Sequence, residues 1–517
     1  MSFNLVDVPF IPCLDLQGRP CELGLLETLL QATNLREVRD DSPLVTVALH
    51  RLLLALLHRN FGPASLSKWK DLWGRGSFDD VILTSYFTQW HDRFDLFHPE
   101  RPFFQVAGFT TKDPSGINRL AQEMARGNNA TLFDHTLDKP SPRLEFAHAA
   151  RLVIAEQSFA VGGGKSDLGN TTHAPLVSGA IVMPQGRTLY ETLLLNMVIY
   201  NSESPCPSTD DRPVWERNDV PTQGATFPAG YLDYLTWQAR TLRLLCDGDR
   251  VAKVYYAQGR KFDPPPGFYE PNMAYRRDKD EGDRPIRFTE EKDLWRDSSA
   301  LFQFDASQQF CGPLCFKQMQ ALVREKVIRR SQRFDFAMLG LCTDKAKVAF
   351  WRRERLPLPP AYLDDKELVE RLKNAIGHAD EVGKHVRMAA WKAASTLLSN
   401  GQSSPDKARV GALVDSLAPD RLYWSRLEVP FRQFLVDLAG ETEDDSGRQE
   451  LAVAHWVCNT LKPQARAAFD ETVGSLAQTG REHRAVTLGR EQLEKDLSSV
   501  TKPHQEKLNE VAAVHRA

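Results

Sequence analysis

The sequence changes its pattern at one proline-dense segment, residues 356–360, and this change limits the folds that the chain can adopt. Proline cannot continue a helix, and a cluster of prolines forms a stiff connector. Beyond this segment, apolar residues recur every three or four positions, which is typical of one apolar stripe on a long helix. The stripe consists of Leu368, Leu372, Ala375, Ile376, Ala379, Val382, Val386, Ala389, Ala390, Ala393 and Leu397. We therefore predict a domain boundary at residue 360.

The remaining apolar periodicity predicts three further helical segments, at residues 405–438, 451–476 and 484–514. Pro419 interrupts the first of them, and Pro463 predicts a kink in the second. Amphipathic helices joined by short turns bury their apolar stripes against each other. We therefore predict a four-helix bundle over residues 361–517.

The first 360 residues mix strand-like and helix-like segments with loops rich in proline and glycine. We predict strands at residues 11–16 and 251–257, and helices at residues 25–32, 45–58 and 189–200. Such mixing is typical of an α+β domain with long functional loops. The fold class predicted for the whole chain is therefore α+β, with a large mixed domain over residues 1–360 and the helical bundle after it.

The composition argues against several classes of protein. The formal net charge of the 517 residues is −3, so any contact with nucleic acid depends on local basic patches. The N-terminal residues do not resemble a secretory signal, and residues 43–57, the most apolar stretch, are shorter than the ~20 residues of a membrane span. Eight scattered cysteines favour reduced thiols and a cytoplasmic location, and the pair Cys311 and Cys315 alone is a weak zinc motif.

Two motifs suggest catalysis, and each is incomplete. Residues 161–166 resemble the end of a phosphate-binding loop, but the complete motif needs a glycine where this chain has Phe159. His91 and Asp92 suggest a metal-dependent phosphohydrolase, which needs a further His and Asp in matching contexts. The glycines also allow bare backbone to approach a ligand closely, with Lys165 beside it. We therefore predict no catalytic residue, no metal and no cofactor, with a nucleotide-dependent or metal-dependent hydrolase as the alternative.

Basic residues concentrate before the proline cluster. Between Arg324 and Arg355 the chain has ten basic and four acidic residues, although its total charge is negative. Such a run is either a solvated helix face or a track for a nucleic-acid backbone. The predicted track consists of Arg329, Arg330, Arg333, Arg352 and Arg353. A second group, Arg260 and Lys261, precedes the prolines at positions 264–266, which we expect to hold that loop out from the body of the protein.

Several motifs occur in an order that is found in one known family. They are residues 4–7 (NLVD), 10–12 (FIP), 98–105 (HPERPFFQ), 162–166 (GGGKS), 235–238 (LTWQ) and 343–348 (TDKAKV), followed by Arg352 and Arg353. With the predicted C-terminal helices, they resemble the large subunit of type I-E CRISPR Cascade, the CasA family. The resemblance spans nearly the whole chain.

The resemblance implies a function and a set of partners. It implies a non-catalytic, cytoplasmic subunit of an RNA-guided antiviral complex that recognises the protospacer-adjacent motif in duplex DNA and promotes duplex opening and R-loop formation. Base pairing with the guide then selects the target, so the protein recognises only the short duplex motif. The implied partners are the other Cascade subunits, the CRISPR guide RNA held by the complex, double-stranded target DNA, the displaced single strand and a separate Cas nuclease-helicase. No membrane contact is implied.

The resemblance also implies roles for particular residues. The DNA-motif contacts are Gly162, Gly163, Gly164, Lys165, Arg260 and Lys261. The family contacts the minor groove, and bare glycine backbone suits that narrow groove. The duplex wedge corresponds to Thr343, Asp344 and Lys345, where the family commonly has a glutamine.

Two further contacts follow from the same resemblance. The loop that anchors the subunit near the guide handle contains Phe133 and His135. The C-terminal helices offer basic side chains to single-stranded DNA, namely Arg481, Arg484, Arg490 and Lys495. A purely structural scaffold without a nucleic-acid contact is a third interpretation of the chain.

Overall fold

The protein is described by a computed structural model that covers residues 1–121, 142–200, 211–218, 227–264, 267–280, 282–290, 292–305, 307–344, 347–399, 405–440, 446–474, 476 and 479–514. Contacts between residues divide the chain into two units. The first unit consists of Met1–Leu294, Gln303–Ile328 and Phe334–Leu356. The second consists of Trp295–Phe302, Arg329–Arg333 and Pro357–Ala517.

The strands of the described residues form five small sheets. They are β1 (Ile11–Asp15), β2 (Pro20–Leu23), β3 (Leu35–Val38), β4 (Ser115–Gly116), β5 (Lys165–Ser166), β6 (Gly169–Asn170), β7 (Ile181–Gln185), β8 (Arg240–Asp247), β9 (Arg250–Gln258), β10 (Tyr275–Arg276), β11 (Arg284–Pro285), β12 (Phe310–Cys311), β13 (Phe334–Asp344) and β14 (Lys347–Leu358). The strand orders are β2-β1-β3, β4-β9-β8, β5-β6, β11-β10-β12 and β14-β13-β7.

The first unit contains a long apolar helix. The α-helices described in this unit are α1 (Leu25–Leu30), α2 (Pro43–Phe61), α3 (Leu66–Arg75), α4 (Asp80–Trp90), α5 (Phe146–Phe159), α6 (Leu189–Asn196), α7 (Tyr231–Leu235) and α8 (Leu314–Arg324). The long apolar helix is α2, which packs against α4, α5, α6 and α7. Within the described residues, α2 alone is long and apolar enough to cross a membrane by length and composition. Its most apolar stretch is 83% buried, because α2 packs against α5, α7 and β13 as a core helix.

The hairpin of β8 and β9 carries the residues that later define the site. The strands pair antiparallel, with Arg240 opposite Gln258 at the open end and Asp247 opposite Arg250 next to the turn. Gly248 in the turn has φ +64°, a conformation that glycine adopts without strain. The open end of this hairpin therefore fixes Arg240 and Gln258 beside each other.

The second unit is helical. Its helices are α9 (Ala361–Asp364), α10 (Lys366–Leu398), α11 (Lys407–Leu417), α12 (Pro419–Ala439), α13 (Ser446–His455), α14 (Lys462–Gly474) and α15 (Gly480–Val514). The Asp365 side chain caps α10 by accepting from the N–H of Leu368. Tyr423 on α12 donates its hydroxyl to the carbonyl of Ala379 on α10 at 3.1 Å. The short segment Trp295–Phe302 joins this core, since the Trp295 ring lies 4.3 Å from that of Phe431.

The helical segment around Pro463 contains a π-helical turn, and the predicted kink itself stays a prediction. A π-helical turn, Trp456–Leu461, connects α13 to α14 directly before Lys462 and Pro463. Proline has no N–H to donate, and its ring clashes with the carbonyl four residues earlier. That carbonyl belongs to Asn459, inside the wider π turn, so the π turn relieves the clash without ending the helical run.

The structure confirms the α+β class and a helical C-terminal region. The predicted strands at 11–16 and 251–257 correspond to β1 and β9, and the predicted helices at 25–32, 45–58 and 189–200 correspond to α1, α2 and α6. The last of these ends earlier than predicted, because the backbone becomes extended at Met197. The more specific prediction of a four-helix bundle stays a prediction.

Candidate nucleic-acid interface

The run of three glycines forms one side of a small hairpin. It follows α5 and continues into β5 and β6. The N–H of Gly162 donates to Nδ1 of His173 at 3.0 Å. The N–H of Gly163 donates to the carbonyl of Thr171 at 2.9 Å, and that of Gly164 donates to the Thr171 hydroxyl at 2.9 Å. All three glycine amides are therefore used to build the hairpin.

The exposed part of this hairpin is bare backbone with one cation. Gly163, Gly164 and Lys165 are exposed, whereas Gly162 is buried. A Cβ on Gly162 would lie 2.5 Å from the backbone of Thr172, so close packing requires this glycine. Gly163 has φ +115°, which also favours glycine. A Cβ on Gly164 would make only an ordinary contact at 3.5 Å, so the fold does not require a glycine there.

The hairpin does not have the arrangement of a phosphate-binding loop. In that motif a strand precedes the glycines and a helix follows them, so that free amides converge on the phosphates. Here α5 precedes the glycines, a hairpin follows, and their amides are already bonded. The hydroxyl of Ser166 donates to the carbonyl of Gly169 at 2.7 Å. Lys165 and Ser166 therefore lack the surroundings that a nucleotide site needs.

The surroundings of Arg260 contradict its predicted contact with DNA. Its side chain is only 5% exposed, and its two terminal nitrogens donate to both carboxylate oxygens of Asp233 at 2.7 and 3.0 Å. Its guanidinium also lies 3.5 Å from the centre of the Trp237 ring. A cation that is buried and paired in this way is not available to DNA. The prediction that Arg260 contacts the DNA motif is therefore wrong, and Arg260 holds the loop in place instead.

Lys261 is exposed, and its loop is tied to the glycine hairpin through Gln258. The N–H of Gln258 donates to the Ser166 hydroxyl at 3.0 Å, and its side-chain oxygen accepts from the N–H of Thr172 at 2.7 Å. Its side-chain nitrogen donates to the carbonyl of Gly259, two residues before Lys261. One residue at the end of β9 thus connects the hairpin with the loop that carries Lys261.

A third candidate segment shares the same core. The strands β13 and β14 flank the expected wedge, of which Thr343 is partly buried at the end of β13. The side chain of Asp344 and the whole of Lys345 lie outside the described residues. One hydrophobic cluster contains Ala160 next to the glycine run and Leu341 and Val348 beside the wedge, and Phe262 next to Lys261 packs against it. The three loops are therefore rooted in one core.

Two members of the predicted basic track belong to the first unit, where both have partners. Arg352 forms ion pairs with Asp293 and Glu354 inside the first unit. Arg353 is partly buried, and it donates to the Thr46 hydroxyl at 2.7 Å. Burial, followed by neighbouring cations, lowers the pKa of Arg353. Both side chains therefore already have partners within the first unit, and the contact of Arg352 and Arg353 with DNA stays a prediction.

The other members of the track belong to the second unit. Arg329 and Arg333 are exposed, and Arg330 is partly exposed with an ion pair to Asp364 at 3.4 Å. The basic positions of the last helix also differ among themselves. All four are exposed, but Arg481 donates to a backbone carbonyl and Arg490 pairs with an aspartate.

The remaining sequence candidates give no second site. His91 is half-exposed, and its Nε2 lies 2.7 Å from a carboxylate oxygen of Asp7. Across the described parts of the chain, no group of three or more His, Cys, Asp or Glu side chains is placed to hold a metal ion. Phe133 and His135 lie outside the described residues. The pair His91 and Asp92 therefore has no metal-binding partners in the described chain.

Sequence reasoning missed the residues that support the loops. Gln258 and Arg240 are 2% and 1% exposed, and both contact the base of the glycine hairpin. His173 accepts from Gly162, and burial and Arg240 lower the pKa of its imidazole, which favours the neutral acceptor. The one signal in the sequence was an arginine at the start of an apolar strand, where a charge needs buried partners.

Three comparisons with known proteins identify the family. The chain matches the family described as CRISPR-associated protein Cse1 over residues 4–468. It is 35% identical over 464 residues to the CRISPR-associated protein CasA/Cse1 of Thermus thermophilus, a match that covers 87% of this chain and 90% of that protein.

Solved structures agree with the sequence match. A crystal structure of CasA from Thermus thermophilus has a TM-score of 0.81 and 31% identity, and covers 96% of this chain and 100% of its own. Thermobifida fusca Cse1 has a TM-score of 0.81 and 25% identity, with 98% of each chain covered. A chain in a structure described as a CRISPR RNA-guided surveillance complex shares the fold at a TM-score of 0.74 and 22% identity, over 95% of this chain and 99% of its own. The chain therefore belongs to the CasA/Cse1 family, the large subunits of type I-E CRISPR Cascade.

Proposed function

We propose that this subunit recognises the protospacer-adjacent motif in double-stranded DNA through the glycine hairpin and the loop of Lys261, without catalysing a reaction. The observation that supports this proposal is the common root of the three candidate loops in one hydrophobic cluster. A shared rigid base holds separate contacts at fixed distances, which recognition of a short duplex motif requires. Gln258 adds a direct hydrogen-bonded connection between two of them.

The two loops contribute different contacts. The glycine amides are bonded inside the hairpin, so Gly163 and Gly164 act by their lack of side chains, which lets the backbone enter a narrow groove. Lys165 is an exposed cation suited to a phosphate beside that groove, and the exposed Lys261 acts as a second contact to the motif inside it. The bare backbone and Lys261 then distinguish the motif, and Lys165 provides affinity that depends on salt.

Duplex opening follows from the third loop. In this proposal Thr343, Asp344 and Lys345 separate the strands next to the recognised motif, which costs about a few kcal/mol per unstacked step. The displaced single strand then contacts exposed cations of the second unit, of which Arg329, Arg333, Arg484 and Lys495 are the candidates. Phe133 and His135 stay proposed as the anchor near the guide handle.

The proposed partners follow from this sequence of events. They are the other Cascade subunits, the guide RNA, the target duplex, the displaced strand and the separate nuclease-helicase that the open complex recruits in the cytoplasm. The glycine amides are bonded inside the hairpin, which supports a role in binding over one in nucleotide hydrolysis. The hydrolase alternative predicts NTP or DNA turnover with Mg²⁺ or Mn²⁺ that disappears in Lys165→Ala.

The test uses the complex assembled with its guide RNA and target duplexes whose flanking positions are randomised. Selection of bound duplexes first identifies the motif. We expect Lys261→Glu and Gly164→Leu to reduce the preference for motif-bearing duplexes by about tenfold or more. Gly164 is chosen because a side chain there causes no backbone strain. Lys68→Glu is the matched control, since Lys68 is an exposed lysine on α3.

Unchanged motif preference in both variants, with normal assembly, would contradict the site. Loss of binding to all duplexes alike, with an unchanged ratio between them, would reduce Lys261 to a general phosphate contact.

A further inference from the structure

A buried arginine lies beneath the glycine hairpin. Arg240, the first residue of β8, is 1% exposed, so its guanidinium has no access to solvent. One terminal nitrogen lies within hydrogen-bond distance of the carbonyls of Ala160, Val161 and Thr172, at 3.2, 3.2 and 2.8 Å. The other donates to the carbonyl of Ala239 at 2.8 Å, so both terminal nitrogens lie among backbone oxygens.

The three carbonyls define the neck of the hairpin. Ala160 and Val161 directly precede the glycine run, and Thr172 directly follows the Thr171 that bonds to it. One terminal nitrogen reaches both sides of the neck, while the other two nitrogens of the planar guanidinium bond to Tyr256 and Ala239 and so fix its position. An ammonium group has three donors on a flexible stem and cannot reproduce this geometry.

The guanidinium is itself held by its neighbours. Nε donates to the hydroxyl of Tyr256 at 2.7 Å, and that hydroxyl donates to a carboxylate oxygen of Glu156 at 2.7 Å. Burial, followed by the Glu156 charge, raises the pKa of Tyr256 to about 12, which keeps this hydroxyl protonated. The Gln157 side chain accepts from the N–H of Arg240 at 2.8 Å and donates to its carbonyl at 3.0 Å. Both ends of Arg240 are therefore fixed by α5 and β9.

We propose that Arg240 is a positioning residue for motif recognition, which sets the height and angle of the exposed glycines by clamping the neck of their hairpin. The inference rests on the proposed function of that hairpin and names a residue that does not touch DNA. Without the clamp, the carbonyls at the neck lose a charged donor and the hairpin samples other orientations. The groove contact then becomes less selective, although Lys165 and Lys261 keep their exposed cations.

The experiment measures selectivity in the assembled complex for Arg240→Gln, Arg240→Lys and Tyr256→Phe. The probes are target duplexes with and without the selected motif. We expect the ratio of the two dissociation constants to fall about tenfold in Arg240→Gln, and less in the other two variants. Binding to duplexes without the motif should stay unchanged. Hydrogen exchange should become faster at the amides of Gly163, Gly164 and Thr171, which report directly on the hairpin.

Arg151→Gln is the control for a loss of selectivity that comes only from lower stability of the protein. Arg151 also donates a largely buried guanidinium to a backbone carbonyl, that of Phe10 at 3.0 Å, but it does not contact the hairpin. Arg151→Gln should lower thermal stability without changing selectivity. Equal selectivity losses in Arg151→Gln and Arg240→Gln would overturn the proposal, as would unchanged selectivity in all three test variants.

The outcome also separates this inference from the proposed function. If Gly164→Leu lowers selectivity and the Arg240 variants do not, the hairpin contacts DNA and Arg240 does not position it. If Gly164→Leu and Lys261→Glu have no effect either, the proposed function itself fails. If Arg240→Gln does not assemble, Tyr256→Phe decides, because it removes one hydroxyl and leaves the guanidinium in place.

Discussion

The role of an arginine in this protein depends on its burial more than on its position in a motif. Arg260 precedes an exposed lysine in a loop with prolines, which made it a natural candidate for DNA contact. In the structure it is paired with Asp233, whose carboxylate also forms an ion pair with Arg217 at 3.3 Å. Arg240 is the first residue of β8 and was not part of any predicted site, yet it contacts the hairpin directly. Local sequence could not distinguish these cases, because their partners are distant along the chain.

Removal of the Arg260 charge should affect stability first. In Arg260→Met the Asp233 carboxylate stays buried without its main partner, which costs about 3–5 kcal/mol of the free energy of unfolding. Arg432→Met removes an exposed pair with Glu428 and should cost less than about 1 kcal/mol. Urea denaturation of both variants checks the difference. Equal and small effects would mean that Arg260 is exposed in solution.

A buried histidine should make the protein sensitive to acid. His58 is buried, its ring nitrogens have no hydrogen-bond partner among the described residues, and burial lowers its pKa to about 3. In the unfolded chain its pKa returns to about 6.5. As the pH falls below about 6.5, the unfolded state gains a proton that the folded state does not, so stability falls by roughly 1 kcal/mol per unit until the pH reaches about 3. Above pH 6.5 this residue has no such effect.

The variant His58→Leu should remove that part of the acid dependence. Denaturant midpoints between pH 7 and pH 4 should then decrease less steeply than in the native protein. His483→Leu, at an exposed position, should keep the native slope. An unchanged slope in His58→Leu would show that His58 does not control acid unfolding.

At the scale of elements, helices with a strong apolar periodicity could be predicted from the sequence, whereas pairings of short strands could not. The apolar stripe of α10 correctly predicted a helix that ends at Leu398. The two-residue strands β5 and β6 have no period to detect, and their hairpin depends on positive φ at Gly163 and Gly169 and on bonds to Thr171. The second helix of the C-terminal region was placed from Pro405, but the cap is Asp406, whose carboxylate accepts from Ala408. Caps of this kind are ambiguous when several polar residues are adjacent.

Two glycines inside long helices should respond in opposite ways to alanine. A Cβ on Gly489 of α15 would lie 2.8 Å from the carbonyl of Ala389 and 2.9 Å from the Phe469 ring. Gly489→Ala should therefore cost about 1–3 kcal/mol by separating α15 from α10. A Cβ on Gly377 of α10 meets nothing within 4 Å, so Gly377→Ala should add about 0.5–1 kcal/mol through helix propensity. Thermal unfolding of the two variants compares these effects directly, and a shift of the same sign in both would refute the packing argument.

At the scale of the whole molecule, the proline cluster predicted a boundary at residue 360, and contacts divide the chain between Leu356 and Pro357. The two earlier segments that join the second unit, Trp295–Phe302 and Arg329–Arg333, could not be predicted. Their partners lie far along the sequence, as Trp295 shows by packing on Trp424. The residues of the candidate site were likewise predictable only where their partners are not distant in the sequence. The exposed glycines and Lys261 came from the resemblance, whereas Gln258 and Arg240 depend on contacts that only the folded chain reveals.

A protein truncated after residue 356 should aggregate, because it keeps the segment Trp295–Phe302 but lacks the helices of the second unit that cover it. Trp295 and Phe302 would lose Trp424, Phe431 and Tyr362, which cover their rings in the complete chain. We expect this truncated protein to bind a hydrophobic dye and to aggregate at concentrations where the complete chain is monodisperse. The same truncation with Trp295→Ser and Phe302→Ser should be less prone to aggregate. A monodisperse truncated protein without dye binding would refute the expectation.

The packing of Trp295 on Trp424 has a consequence during synthesis. The ribosome adds 128 residues after Trp295 before it reaches Trp424. At ordinary rates of elongation this delay lasts roughly 10 s. During that time the indole ring is an apolar surface on the nascent chain without its Trp424 partner. Cellular chaperones bind surfaces of this kind. Production of this protein should therefore depend on how fast it is translated and on how much chaperone the host cell supplies.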